Sequence, residues 1–250
     1  MQAQRWRQIL IGDTATVDSL RRVPLPVDDD ETYKQALALD LPRTFPTDDW
    51  FKPHWGALNR VLTAYASTNP GMGYAQGMAF PVFVLYRLYF LDDPKHATVD
   101  TYYSFHKLIH IVRPIYPLNG SDPNPIFFMR HVNALIPLIV SRFDLPLAQK
   151  LKVYPTIVSL FTLQVLPPLF SSKFCYDEVT VIFDFLLDTS SFAMFQRALC
   201  ILSAILITFK PVFIHMEYEK ILEIITTKEY YDVRRILRIA GILDSRLPIM

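Results

Sequence analysis

An all-α fold is the class this sequence predicts, and three observations predict it. Apolar residues recur at steps of three and four, the spacing of one helix face. No Asn-Gly or Asp-Gly hairpin turn occurs, and few segments alternate with a period of two. Nineteen prolines punctuate the chain, as at Pro24-Pro26, Pro114-Pro117, Pro123-Pro125 and Pro167-Pro168, where helices must break.

The elements follow in order. WRQILIG at the N-terminus begins a short amphipathic segment whose apolar core is too brief for a signal peptide. DDDETYKQALAL predicts a helix with an acidic start, the triplet Asp28-Asp29-Asp30. It should stop near Leu41, because Pro42 disfavours helical geometry in the residue before it. Trp55, Leu58, Leu62 and Tyr65 share one face of the next helix. Then comes GMGYAQGMAF, 71–80, which holds three of the seven glycines in the chain. The apolar run MAFPVFVLYRLYFL follows, with Pro81 tolerated in a first helical turn.

DPNP, 122–125, is the best candidate for a seam between an N-terminal and a C-terminal half. IFFMRHVNALIPLIVSRF, 126–143, reads as a helix with Pro137 inside it, where a bend is expected. YDEVTVIFDFLL, 176–187, has acids where a helix N-terminus favours them, and Ser190 or Ser191 could cap the helix after it. ALCILSAILITF, 198–209, is uncharged but too short to span a bilayer, so it is expected to be a buried helix.

Composition excludes several classes. The 250 residues carry a formal charge of +1 and no basic run beyond Arg21-Arg22 and Arg234-Arg235. Nucleic-acid binding, which needs a concentrated basic face, is therefore not expected. Cys175 and Cys200 sit in apolar sequence and read as buried, reduced thiols of a cytoplasmic protein. His106 and His110 in HKLIH have zinc-helix spacing, but Lys107 stands where a catalytic glutamate would be. A histidine pair without metal is the expectation. No nucleophile elbow, phosphate-binding P-loop or Rossmann fingerprint occurs.

Two polar sites remain. In LALDLPRTFP, 37–46, Pro42 and Pro46 bracket Arg43 and Thr44, so the arginine is held at low entropic cost. Asp40, three residues earlier, is close enough to pair with or orient the guanidinium. In 71–80, Gly71 and Gly73 permit unusual φ values and Gly77 allows close approach. Gln76 then stands at or just before a helix N-terminus, where amides favour negative charge. Taken singly, each is also an ordinary feature: a surface ion pair ending a helix, and a tight interhelical turn.

Together the two sites resemble the paired signatures of the TBC-domain family of Rab GTPase-activating proteins, I-x-x-D-x-x-R-T and Y-x-Q-G-M. Leu37, Asp40, Arg43 and Thr44 match the first, with leucine for isoleucine; Tyr74, Gln76, Gly77 and Met78 match the second. The resemblance spans residues 5–240. DEVTVIFDFLL is similar to the family's helix with a tryptophan-aspartate pair, here Phe183-Asp184, and the tryptophan expected upstream is missing from VSLFTLQVLPPLFSS. What the resemblance implies is an all-α, V-shaped domain of two packed helical halves. Its partner would be a Rab-family GTPase in the GTP-bound state, and GTP and magnesium would be carried by that partner, with no cofactor of the domain's own. The chain would not be an enzyme with its own substrate pocket but an activator supplying catalytic residues in trans. Arg43 would be an arginine finger and Gln76 a glutamine finger, with Asp40, Thr44, Tyr74, Gly77 and Met78 supporting their loops or touching the partner. A role in vesicle trafficking follows, in the cytoplasm or peripherally on endomembranes. The alternative is a catalytically silent TBC-like scaffold that binds a GTPase or another trafficking partner.

Overall fold

The structure is a computed structural model that describes residues 1–26, 33–46, 48–116, 124–188, 193–226 and 231–247. Asp28-Asp29-Asp30, Ser190 and Ser191, and the first two residues of the DPNP turn lie outside the described residues. Among those described there are fourteen α-helices and no strand, joined by loops and short 3-10 turns. The chain forms two compact units, 1–122 and 123–250.

The first unit is built on α4 (Trp55–Thr68), α5 (Ala79–Asp92) and α6 (Ala97–Ile111), which pack on one another. In α4, Leu58, Leu62 and Tyr65 are buried as their spacing predicts, while Trp55 is partly exposed. α5 is apolar all round and is buried along most of its length, as a helix of that composition must be.

Two N-terminal helices, α1 (Gln2–Leu10) and α2 (Thr14–Leu20), are fastened to this layer. α1 buries Trp6 completely. Asp13 caps α2 by accepting from the Thr16 N–H at 2.8 Å. The fastening is ionic: Asp100 in α6 accepts from Arg7 Nε at 2.6 Å and from Arg21 Nε and Nη2 at 2.8 and 2.6 Å. Its carboxylate is buried, so the pair of guanidiniums supplies the solvation that water would otherwise give.

α3 (Lys34–Asp40) runs directly into a 3-10 turn, Leu41–Arg43. The tightening agrees with the expected stop at Pro42, whose missing N–H cannot continue the α-helical ladder.

The second unit contains α7 (Asn124–Ser141), with Pro137 inside it, then α8 (Leu145–Val153), α9 (Pro155–Val165), α10 (Tyr176–Leu187) and α11 (Met194–Thr208). α12 (Lys210–His215), α13 (Tyr218–Thr226) and α14 (Val233–Arg246) complete it. α11 is its centre: residues 198–207 are all buried, and α14, α7 and α10 pack around it. No described helix is long and apolar enough to cross a membrane.

One thiol departs from expectation. Cys200 is buried in α11, but Cys175 is exposed at the N-cap of α10. There Glu178 accepts from the Cys175 N–H at 3.0 Å, closing a capping box with the thiol in the place usually held by serine. Its apolar flanks, Phe174 and the following helix, are what enter the core; the cap itself stays at the surface.

Candidate functional site

The 3-10 turn Leu41–Arg43 is closed at both ends by Thr44. Its N–H donates to the carbonyls of Asp40 at 3.0 Å and Leu41 at 3.1 Å, and its hydroxyl donates to the Asp40 carbonyl at 2.9 Å. Leu41 and Thr44 face inward and Arg43 faces solvent. Arg43 shares no hydrogen bond or ion pair with another described residue.

The next residue holds the turn in place. Phe45 has φ +50, a left-handed conformation that costs a non-glycine residue roughly 1–2 kcal/mol. Residues before proline usually avoid helical geometry by going extended; this one goes the other way. Its ring lies 4.4 Å from that of Phe83, 5.0 Å from Phe80 and 6.1 Å from Phe51, centroid to centroid. Two of these contacts are edge-on and the one to Phe83 is tilted; aromatic pairs contribute about 0.5–1.5 kcal/mol each beyond burial, enough to offset the backbone cost. Phe45 therefore anchors the arginine turn to α5, a role its sequence position alone did not reveal.

The second loop begins with a turn on Asn69, whose carbonyl accepts from the N–H groups of Met72 at 2.9 Å and Gly73 at 2.7 Å. Gly73 has φ +59. Ala75–Met78 is then a tight turn, with the Met78 N–H donating to the Ala75 carbonyl at 3.1 Å and the Met78 sulfur accepting from the Ala75 N–H at 3.3 Å. Gly77 has φ +98 at the third position, where turns of this kind demand glycine. Gln76 occupies the second position and points outward, exposed, two residues before the Met78 N-cap of α5. The freedom of Gly71 is not used: its φ is not positive, and a Cβ there would meet nothing.

The two loops are joined by one side-chain bond. The Tyr74 hydroxyl donates to Asp40 Oδ2 at 2.7 Å. Asp40 was expected to orient Arg43; its carboxylate is instead turned to Tyr74. Burial and the Asp40 carboxylate push the Tyr74 phenol far above its ordinary range, so it remains a neutral donor. A tyrosine that is buried must find a partner for its hydroxyl, and the acid of the other motif was the available signal. Arg43 lies three residues after one end of this bond and Gln76 two after the other.

An ion pair between Arg87 and Asp48 at 2.8 Å braces the chain just beyond the arginine turn, with the Arg87 guanidinium 5.2 Å from the Trp50 ring. Among the described residues no three His, Cys, Asp or Glu side chains are placed to hold a metal ion.

The chain as a whole is similar to known proteins. Residues 16–206 match the Rab-GTPase-TBC domain family. Among curated relatives, mouse (Mus musculus) TBC1 domain family member 13 is 30% identical over 161 residues, and the human (Homo sapiens) protein of that name is 31% identical over 138 residues. These alignments cover 62% and 52% of this chain, and they span only 39% and 33% of the relatives' own lengths. Cattle (Bos taurus) TBC1 domain family member 14 is 32% identical over 112 residues, covering 43% of this chain and 15% of the relative. Among solved structures, the Ypt/Rab-GAP domain of Gyp1p superposes with a TM-score of 0.74, covering 98% of this chain and 88% of that one, at 18% identity. Both loops fall inside the matched segment, and by that match the chain belongs to the Rab-GTPase-TBC domain family.

Proposed function

We propose that this chain is a GTPase-activating domain that accelerates GTP hydrolysis on a GTP-bound Rab-family GTPase, with Arg43 and Gln76 as its two fingers. The Tyr74–Asp40 bond carries the proposal, because it ties the loop bearing the cation to the loop bearing the amide while leaving both head groups exposed. Arg43 would neutralise charge that builds on the phosphoryl oxygens, and Gln76 would orient the attacking water. Thr44 closes the arginine turn, and Gly77 and Met78 shape the glutamine turn. GTP and magnesium would be the partner's, and the domain would work at the membrane where that partner resides.

Magnitude separates this reading from a passive ion pair. An arginine finger supplies about 10³–10⁵ in rate, or roughly 4–7 kcal/mol; a surface pair contributes about 1 kcal/mol or less. Single-turnover hydrolysis against a panel of Rab GTPases is expected to show stimulation by the wild type. Arg43→Ala should abolish it with an unchanged melting curve. Gln76→Ala should do the same against a GTPase lacking its own catalytic glutamine. Full activity in Arg43→Ala ends the arginine assignment, and stimulation of no GTPase favours a binding scaffold.

A further inference from the structure

Behind the glutamine loop lies a cavity of about 180 Å³ that the activation chemistry does not use. It is larger than the cavity of about 150 Å³ that admits benzene in an engineered protein core. The Tyr65 and Met72 side chains form its buried floor, and His106, His110 and Arg113 stand exposed around it together with the half-buried Asn69. No carboxylate lines it. None of the three basic side chains shares a hydrogen bond or ion pair with another described residue.

The floor is incompletely satisfied as well. The Tyr65 hydroxyl is buried and donates, at 3.2 Å, to the thioether sulfur of Met72. A thioether is a weak acceptor, so an anionic oxygen would be a better one. Cations are disfavoured here, because Arg113 is permanently charged; the i, i+4 histidines are thus not the beginning of a zinc site.

We propose that this basin binds a phosphate-class anion, held by Arg113, His106 and His110 from the rim and by the Tyr65 hydroxyl from the floor. Four donors drawn from α4, α6 and the turn after α6 suit a tetrahedral oxyanion, and a guanidinium can meet it with two bonds. The inference stands apart from the GTPase-activating reading, since it requires no partner protein.

Proton uptake should accompany binding. Partial burial against the rings of Tyr65 and Tyr102, and then the charge of His110, hold His106 below its ordinary pKa. The other groups facing it are Tyr65 from α4, Asn69 just after α4 and Arg113 beyond α6, with Lys107 next in sequence. The acids contributed by α5, α6 and their connection, Asp92, Asp93 and Asp100, are engaged with Arg7 and Arg21 towards the other end of α6. An anion therefore stabilises the protonated His106 ring, and affinity rises as pH falls.

The test is an NMR titration of the His106 and His110 ring signals in the full chain at constant ionic strength. Inorganic phosphate should shift both saturably. Sulfate, whose charge is constant over the range, should bind about tenfold more tightly at pH 6 than at pH 8. Arg113→Ala, an exposed change, should weaken phosphate binding about tenfold or more, and His106→Asn should flatten the sulfate pH dependence. Sedimentation with vesicles carrying a phosphomonoester headgroup, against plain phosphocholine vesicles, identifies the source. Wild-type capture lost in Arg113→Ala assigns a lipid headgroup, and saturable phosphate binding without capture assigns a free phosphate. Shifts that grow linearly with salt, or that persist unchanged in Arg113→Ala, overturn the proposal.

Discussion

Tyr74 is where the two motifs become one site. Its hydroxyl gives Asp40 a charge-assisted bond, of a class worth about 1.5–3 kcal/mol. Tyr74→Phe keeps the ring and removes only that bond, so the melting temperature should fall by roughly 3–12 °C while the chain still folds. Stimulated hydrolysis should fall about tenfold or more, because misplacing catalytic groups by about 1 Å costs on that order or more. Wild-type turnover in Tyr74→Phe would show that the loops are aligned by other means. The residues of this site were legible as types: an arginine held by prolines, a glutamine held by glycines. Their partners were not. Asp40 is nearer to Arg43 in sequence than to Tyr74, and only tertiary packing brings the tyrosine into reach. The same limit applies to Phe45, whose left-handed backbone is tolerable only because three aromatic rings from elsewhere receive it.

At the scale of elements, periodicity was the dependable guide. The Leu58–Leu62–Tyr65 stripe of α4 and the uncharged run of α11 are buried as their spacing requires. What periodicity does not report is how amphipathic helices with little apolar surface are held. α1 is polar on average, yet it docks through Trp6 and the Arg7–Asp100 pair. Asp100→Asn would leave two guanidiniums facing one neutral amide in a buried setting. Removing one partner of a buried ion pair costs about 3–5 kcal/mol, and urea denaturation of the full chain should show a loss of that size. A loss below about 1 kcal/mol would mean that Asp92 and Asp93 hold α1 and α2 well enough alone. Helix caps gave a second lesson in Cys175, which apolar flanks suggested was buried: a cap residue joins the surface even when its neighbours enter the core.

Across the whole molecule, buried weak acids set an alkaline limit. Burial raises Tyr65 to about 12, against an opposing effect of Arg113, and burial followed by the charge of Asp244 raises Cys200 to about 12. Tyr74, Tyr89, Tyr116 and Tyr231 are raised as well, each chiefly by burial. Unfolded, these groups ionise near their ordinary values, about 10 for tyrosine and 8.5 for cysteine. Their contribution is therefore complete below those values and is lost as pH rises towards the folded ones, at about 1.4 kcal/mol per pH unit for each group. Melting temperature should decline steeply between pH 9 and about 12; a flat profile would mean that the phenols ionise without unfolding the chain. Phe45 carries a last consequence. Because the arginine turn is seated on rings of the hydrophobic interior, the aim of a surface cation is decided several ångströms beneath it. A substitution at Phe83 that merely loosened packing would thus present as a defect of reactivity in a chain that still folds, with every solvent-facing side chain intact.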